Sequence, residues 1–356
     1  MRPECAWQRW MLGLALWGAL GGCATARTGS TAEAAAAHRL TRVGPTAFKP
    51  WERWALARTE APPLDVYVMK DETPRPLLVV LAGSGCTPLF FHLEREGHRL
   101  TGTRLTFALS LMGNHVGLHV ATVEKVGVRS FELYSGDGMS DCSEEYERHV
   151  AKPERVRAVA DAVAALAAEP WVTQVVLVGH SEGADVAAGV ARLLGEKQLT
   201  AVGIMAGAGP SQLFDHVLFA RRDAEAGGVQ EAFKDVLRIT DPAEEGRWNG
   251  HSLTRWRSYA VDATPLEDLR ASRVPVFIAH GTEDESVPIE SADLLAIELL
   301  RDRSRPVFYL YLPGHDHGFR GPERTDNARA VLDRFLAWAL APVKQTAVQE
   351  GLTSGP

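Results

Sequence analysis

Short apolar runs alternate with longer stretches of helical periodicity over most of the chain. Residues 64–69 alternate apolar and polar, the pattern of a half-exposed strand. Residues 77–82 are continuously apolar, as in a strand covered on both faces, and 116–123 predict the next strand. A helix follows over 153–168, with Pro153 suited to its first turn. A buried strand over 175–178 then runs directly into an Ala-rich helix over 184–194 that stops at Gly195. Strands over 202–206, 276–279 and 307–312, with helices over 289–300 and 322–341, complete the series. Strands and helices alternating at these lengths predict an α/β protein, its mostly parallel central sheet flanked by helices.

The rhythm breaks between about 210 and 262, where the chain is polar, rich in helix formers and carries Trp248, Trp256 and Tyr259 with no clear strand. This interval reads as a helical cap inserted over the end of the sheet. Residues 24–45 are aperiodic and rich in Ala, Thr, Gly and Ser, the composition of a flexible tether. Residues 343–356 are polar and unpatterned, which predicts a disordered tail. The folded body is therefore expected over 46–342.

The first 23 residues read as an export signal. Arg2 and Arg9 supply positive charge, residues 10–20 are apolar, and Leu20-Gly21-Gly22-Cys23 follows. The apolar stretch is too short to span a bilayer. Small residues before a cysteine look like the lipobox of bacterial lipoproteins. That resemblance implies cleavage before Cys23, lipid on its thiol, and a membrane-anchored protein of the bacterial envelope. With Ala24 and not Asp next, it implies the periplasmic side of the outer membrane. Export changes how the four cysteines read: Cys86 and Cys142 remain either as a disulfide pair, which an oxidising compartment permits, or as two separate thiols. A net charge of -7 with scattered basic residues gives no footprint for nucleic acid. No Cys/His spacing suggests zinc, and the chemistry considered next needs no cofactor or metal.

Gly179-His180-Ser181-Glu182-Gly183 lies between a predicted strand and a predicted helix. There a serine on a sharp turn becomes exposed above the sheet, provided that nothing bulky flanks it. The helix N-terminus behind it favours developing negative charge. A serine hydroxyl needs a base, and the base an orienting carboxylate, with the expected chain order Ser, Asp or Glu, His. Glu283, Asp284 and Glu285, just past the strand at 276–279, are the carboxylate candidates. His315 and His317, in the loop after the last strand, are the base candidates, with His317 the better placed before Gly318-Phe319. His280 reads as a packed strand-end residue, and His180 as a local hydrogen-bond partner. An oxyanion hole needs two convergent backbone N–H groups. One is expected from Glu182, the other from Ser84, with Gly85 or Cys86 as alternatives.

"VVLVGHSEGADVAA", "VFIAHGTEDESVP" and "YLPGHDHGF" together resemble the nucleophile, acid and histidine loops of the α/β-hydrolase superfamily. The dienelactone-hydrolase-like and prolyl-oligopeptidase-like esterase branches are the most similar. "VATVEKVGVRS" is similar to a D-K-R-G-x-G-x-S stretch of these branches, departing at Glu124 and Val126. The usual His-Gly oxyanion signature reads Ala82-Gly83 instead. The resemblance covers about residues 64–340 and implies an α/β-hydrolase fold with Ser181, Asp284 and His317 as a triad. It implies a serine hydrolase that cleaves carboxylic esters or thioesters of a small-molecule acyl substrate. The alternatives are an acyltransferase on the same fold, a peptidase, or a non-catalytic envelope lipoprotein. No propeller-sized domain is expected that would gate peptides.

Overall fold

The computed structural model describes residues 38–95, 97–105, 117–136, 138–139, 141–207, 209–223 and 227–352. The predicted signal, Cys23 and most of the predicted tether lie outside the described residues. The chain enters through three strands, β1 (His38–Pro45), β2 (Glu52–Arg58) and β3 (Ala61–Met69), each antiparallel to the next. Then come β4 (Arg75–Leu81), a separate hairpin of β5 (Phe90–Arg95) and β6 (His98–Thr103), and β7 (His119–Val123). Helices α1 (Glu144–Arg148) and α2 (Lys152–Ala167) lead to β8 (Val172–His180), α3 (Glu182–Leu194) and β9 (Ala201–Met205).

The cap holds α4 (Gln212–Arg222), α5 (Gly228–Thr240), the two-residue strands β10 (Arg247–Trp248) and β11 (His251–Ser252), and α6 (Leu253–Ala260). Helix α7 (Pro265–Ala271), β12 (Val276–Gly281), α8 (Ile289–Leu300), β13 (Val307–Leu312), α9 (Ala328–Ala339) and β14 (Ala347–Glu350) complete the chain. Among the described residues, ten strands form one sheet in the order β1-β2-β3-β7-β4-β8-β9-β12-β13-β14. From β7 to β14 every neighbouring pair is parallel.

Because strand side chains alternate between faces, the apolar runs feed two cores at once. Leu77, Val79, Leu81, Val175, Leu177, Val276 and Ile278 meet the helices α2, α3 and α8 on one face. Leu78, Val80, Val176, Val178, Phe277 and Ala279 meet Val331, Leu332 and Phe335 of α9 on the other. Each of the Val, Leu, Ile and Phe side chains among these, fully removed from water, stabilises the fold by about 1.5–3 kcal/mol. The cap has a small core of its own around Leu213, Ile239 and Leu253.

Several expectations are corrected. Strand β3 is not half-exposed: it is paired on both edges, and Val66 and Val68 enter one core while Tyr67 and Met69 enter the other. The last eight residues of the predicted tether are β1, held as an edge strand by β2. The predicted tail pairs in parallel with β13 through β14, and Trp338 Nε1 donates to Gln345 O at 2.8 Å just before it. This strand covers backbone groups that β13 would otherwise leave open at the sheet edge. The final helix begins at Ala328 and not at 322, because 313–327 fold back on themselves, with the Asn327 amide 2.9 Å from His315 Nε2. The cap contains the short β10–β11 pair where no strand was expected.

Candidate active site

Ser181 stands between β8 and α3 with φ 57° and ψ -130°, a conformation that costs an L-residue free energy unless its surroundings enforce it. Backbone crowding enforces it here. A Cβ on Gly179 would lie 2.0 Å from Gly183 O, and one on Gly183 would lie 2.6 Å from Leu81 O. The two flanking glycines are therefore a steric requirement of the turn. Ser181 N–H donates to Met205 O at 2.9 Å, fixing the tip against β9.

Asp284 follows β12 in a turn where its Oδ1 accepts the N–H groups of Ser286 and Val287, both at 2.8 Å. His317 donates from Nδ1 to the same carboxylate, at 3.0 and 2.9 Å from its two oxygens. With Nδ1 so engaged, Nε2 is the ring nitrogen that has no hydrogen-bond partner among the described residues. Burial pushes the Asp284 carboxyl up, but the His317 hydrogen bond and the charges of His317 and His280 outweigh it and hold it below the usual range. Ser181 and His317 border one cavity of about 480 Å³.

The other candidates have different places. Glu285 Oε2 accepts the His317 N–H at 3.4 Å, whereas Glu283 N–H donates to His315 O at 2.9 Å. His280 is fully buried, 3.3 Å from Asp284 Oδ2, with Nε2 donating to Val287 O. His180 reaches beyond its own turn: its Nε2 donates to His317 O at 2.8 Å, tying the histidine loop to the strand before Ser181. Burial and the neighbouring His317 push His180 down to about 4. Asp316 Oδ2 accepts from Arg320 at 2.8 Å, a surface charge pair.

Glu182 begins α3, so its N–H belongs to the first turn, where no helical carbonyl is available. Ser84 lies on the cavity wall, and its N–H has no partner among the described residues. Cys86 is excluded as an oxyanion donor, because its N–H donates to Gly138 O at 2.8 Å. Cys86 and Cys142 form a disulfide that closes this loop, with Cα atoms 5.5 Å apart.

Sequence reasoning missed a buried charge cluster behind the turn. The Glu182 carboxylate pairs with Arg155 of α2 and with Arg255 of the cap, whose Nε lies 3.0 Å from Oε2. Burial pushes this carboxyl up, but the two guanidinium groups and Lys125 hold it far below the usual range. Arg255 also donates to Gln212 at 2.7 Å, and Gln212 to Asp185 at 2.7 Å. Asp185 and Asp215 are buried on the same cavity wall, where burial pushes them up to about 7 and about 8. Trp248, Trp256 and Phe219 supply the cavity's aromatic surface, whereas Tyr259 is packed inside, beneath the Arg255 guanidinium. A second cavity of about 470 Å³ touches the far side of Glu182 and holds neither Ser181 nor His317.

The model of the prolyl oligopeptidase family matches residues 226–345, the stretch that carries most of the cap, Asp284 and His317. "Probable carboxylic ester hydrolase LipM" of Mycobacterium tuberculosis is 32% identical over 79 residues, which span 22% of this chain and 18% of that protein. Among solved structures, Est1E from Butyrivibrio proteoclasticus with bound ferulic acid aligns at a TM-score of 0.50 and 16% identity, covering 77% of this chain and 94% of that one. A puromycin-hydrolysing peptidase of M. tuberculosis aligns at 0.51 and 18%, covering 84% of this chain but only 41% of its own. The α/β hydrolase GrgF from a Penicillium species aligns at 0.52 and 16%, covering 82% and 98%. The chain has the α/β-hydrolase fold, and its similarities lie among hydrolases built on it.

Proposed function

We propose that this chain is a serine hydrolase that cleaves carboxylic esters or thioesters through an acyl-enzyme on Ser181. The observation that carries the reading is Ser181, held at positive φ beside the cavity into which His317 also opens, with His317 Nδ1 bonded to Asp284. In the proposed first step the Ser181 oxygen adds to the acyl carbonyl carbon while its proton passes to His317 Nε2. The tetrahedral oxyanion is met by the N–H groups of Glu182 and Ser84. Collapse expels the alcohol or thiol, which takes the proton from His317. Water then repeats the sequence, losing a proton to His317 and releasing the acid. Asp284 keeps the imidazole in the tautomer that leaves Nε2 basic and stabilises the imidazolium.

The aromatic wall of Trp248, Trp256 and Phe219 suits an apolar or aromatic group on the substrate. Amide cleavage is the second reading, favoured by the family match over 226–345 and the likeness to a puromycin-hydrolysing peptidase. Export with lipid on Cys23 belongs to the same proposal, supported by the Cys86–Cys142 disulfide, which an oxidising compartment maintains. The test is a panel of p-nitrophenyl esters beside aminoacyl p-nitroanilides, with Ser181→Ala as control. Ester turnover should exceed anilide turnover, and Ser181→Ala should abolish both while circular dichroism is unchanged. Undiminished turnover in the Ala variant rejects the assignment.

A further inference from the structure

Lys125 is part of neither the charge relay nor the cavity wall around Ser181, yet its amino group reaches the loop on which the second oxyanion donor depends. It is the second residue after β7, and Nζ donates to Gly83 O at 2.6 Å and also to Gly85 O. Either protonation state of the amine has the two N–H bonds that this requires. The carbonyl of Gly83 and the N–H of Ser84 belong to a single peptide unit. In the described chain the only cis peptide is Lys49–Pro50, so this unit is trans, with C=O and N–H pointing in opposite directions. Holding the Gly83 oxygen toward Lys125 therefore turns the Ser84 N–H the other way. Ser84 lies on the wall of the Ser181 cavity, which Lys125 does not line, and a Cβ on Gly83 would be 3.5 Å from Ser181 Oγ.

The adjoining peptides are fixed in the same manner. Arg155 Nη2 donates to Ala82 O at 2.9 Å, and the Gly85–Cys86 unit is held at both ends, by Lys125 on its oxygen and Gly138 O on its N–H. Gly85 takes φ +80°, and a Cβ there would lie 2.2 Å from Gly138 O, so only glycine fits at this point of the loop. Lys125 is fixed in turn by its own backbone, whose N–H donates to Glu124 Oε1 at 3.0 Å, while Glu124 Oε2 accepts the Leu89 N–H at 2.9 Å. Removal of the Lys125 amine would leave two loop carbonyls without their donor and the Gly83–Ser84 peptide free to flip.

We propose that Lys125 is a positioning residue that selects the Ser84 N–H as the second oxyanion donor by gripping the opposite end of the same peptide. The inference rests on the serine-hydrolase reading of the site. The oxyanion forms only in the transition state, so loss of the grip should lower kcat and leave KM nearly unchanged.

The experiment compares the full chain with Lys125→Met and Lys125→Arg on a p-nitrophenyl ester. Rates are expressed per active site titrated with a fluorophosphonate, so that misfolded protein does not count. Lys125→Met should lose on the order of 100-fold in kcat, the effect of removing one oxyanion donor, with KM within about twofold. Lys125→Arg, which can still donate to both carbonyls, should recover at least about a tenth of the kcat. A purely structural lysine would lower the titrated fraction and the melting temperature but not kcat per site. In the unsubstituted protein, phenylboronic acid should move the Ser84 amide proton downfield in a ¹⁵N-resolved spectrum, a measurement that does not depend on any variant folding. A Lys125→Met enzyme with kcat per site within about threefold of the parent, or a Ser84 amide that boronate does not move, overturns the proposal. Failure of Ser181 to react with the fluorophosphonate would instead overturn the underlying reading, which separates the two.

Discussion

The turn at Ser181 and the cap above it are held by different forces. At the turn, backbone packs on backbone: Gly179 against Gly183, Gly183 against Leu81 and Ala82, and Ser181 locked at φ 57°. The cap is joined to the body by buried polar groups: an ion pair in which Arg255 reaches from α6 to Glu182, and a neutral hydrogen bond from Lys152 N–H to Ser258 Oγ at 3.0 Å. Steric locking is indifferent to pH and salt. A buried ion cluster depends on every partner being present, because a charge stranded in the interior has no water to compensate it. The turn at Ser181 thus rests on the contacts least sensitive to conditions, and the cap side of the cavity wall on those most sensitive to them.

Substitutions can break this contrast. Asp284→Asn keeps acceptors for the Ser286 and Val287 N–H groups but offers His317 the wrong partner, so kcat should fall about 10⁴-fold with the fold intact. Steady-state kinetics beside circular dichroism check this. Arg255→Met should do the reverse, costing about 3 kcal/mol in urea unfolding by leaving Glu182 with Arg155 as its remaining guanidinium partner. The fluorophosphonate should still label Ser181 in the variant. If Arg255→Met proves neutral in stability, charge is not what holds the cap.

A smaller effect concerns pH. Asp185 and Asp215 are raised to about 7 and about 8 in the folded chain, well above unfolded carboxylates at about 4. Between those limits the folded state keeps protons that the unfolded state has released, so these two groups make stability fall as pH rises. Glu182 and Asp284, held low, act oppositely, and their contribution is lost only as pH drops through the acid range. Asp215→Asn, which has no carboxyl to ionise, should shrink the fall in melting temperature between pH 5 and pH 9. An unchanged slope would remove Asp215 from this account.

What the sequence disclosed follows the range of the forces involved. The apolar runs at 77–82, 175–178 and 276–279 announce the sheet because burial on both faces leaves a local pattern. Gly179 is legible because its steric demand, against Gly183 O, acts within five residues, whereas Gly183 owes its own to Leu81 O on a neighbouring strand. Strand β14 is not legible, since its four residues alternate half-buried with exposed and owe their order to the β13 edge beside them. At Glu182 the sequence assigns a role only to the backbone N–H. Its carboxylate meets Arg255 across 73 residues of sequence, and no local spacing records such a contact. Lys125 is a similar case: the resemblance drew attention to its stretch, but its grip on Gly83, 42 residues earlier, exists only in the folded chain.

The most direct test of the central claim is the site of covalent modification. Incubation with a fluorophosphonate should add one phosphonyl group with loss of fluoride, and peptide mass spectrometry should find it on Ser181. Ser181→Ala should remain unmodified under the same conditions. An adduct on a different residue, or active ester turnover with Ser181 unmodified and uninhibited, would contradict the account.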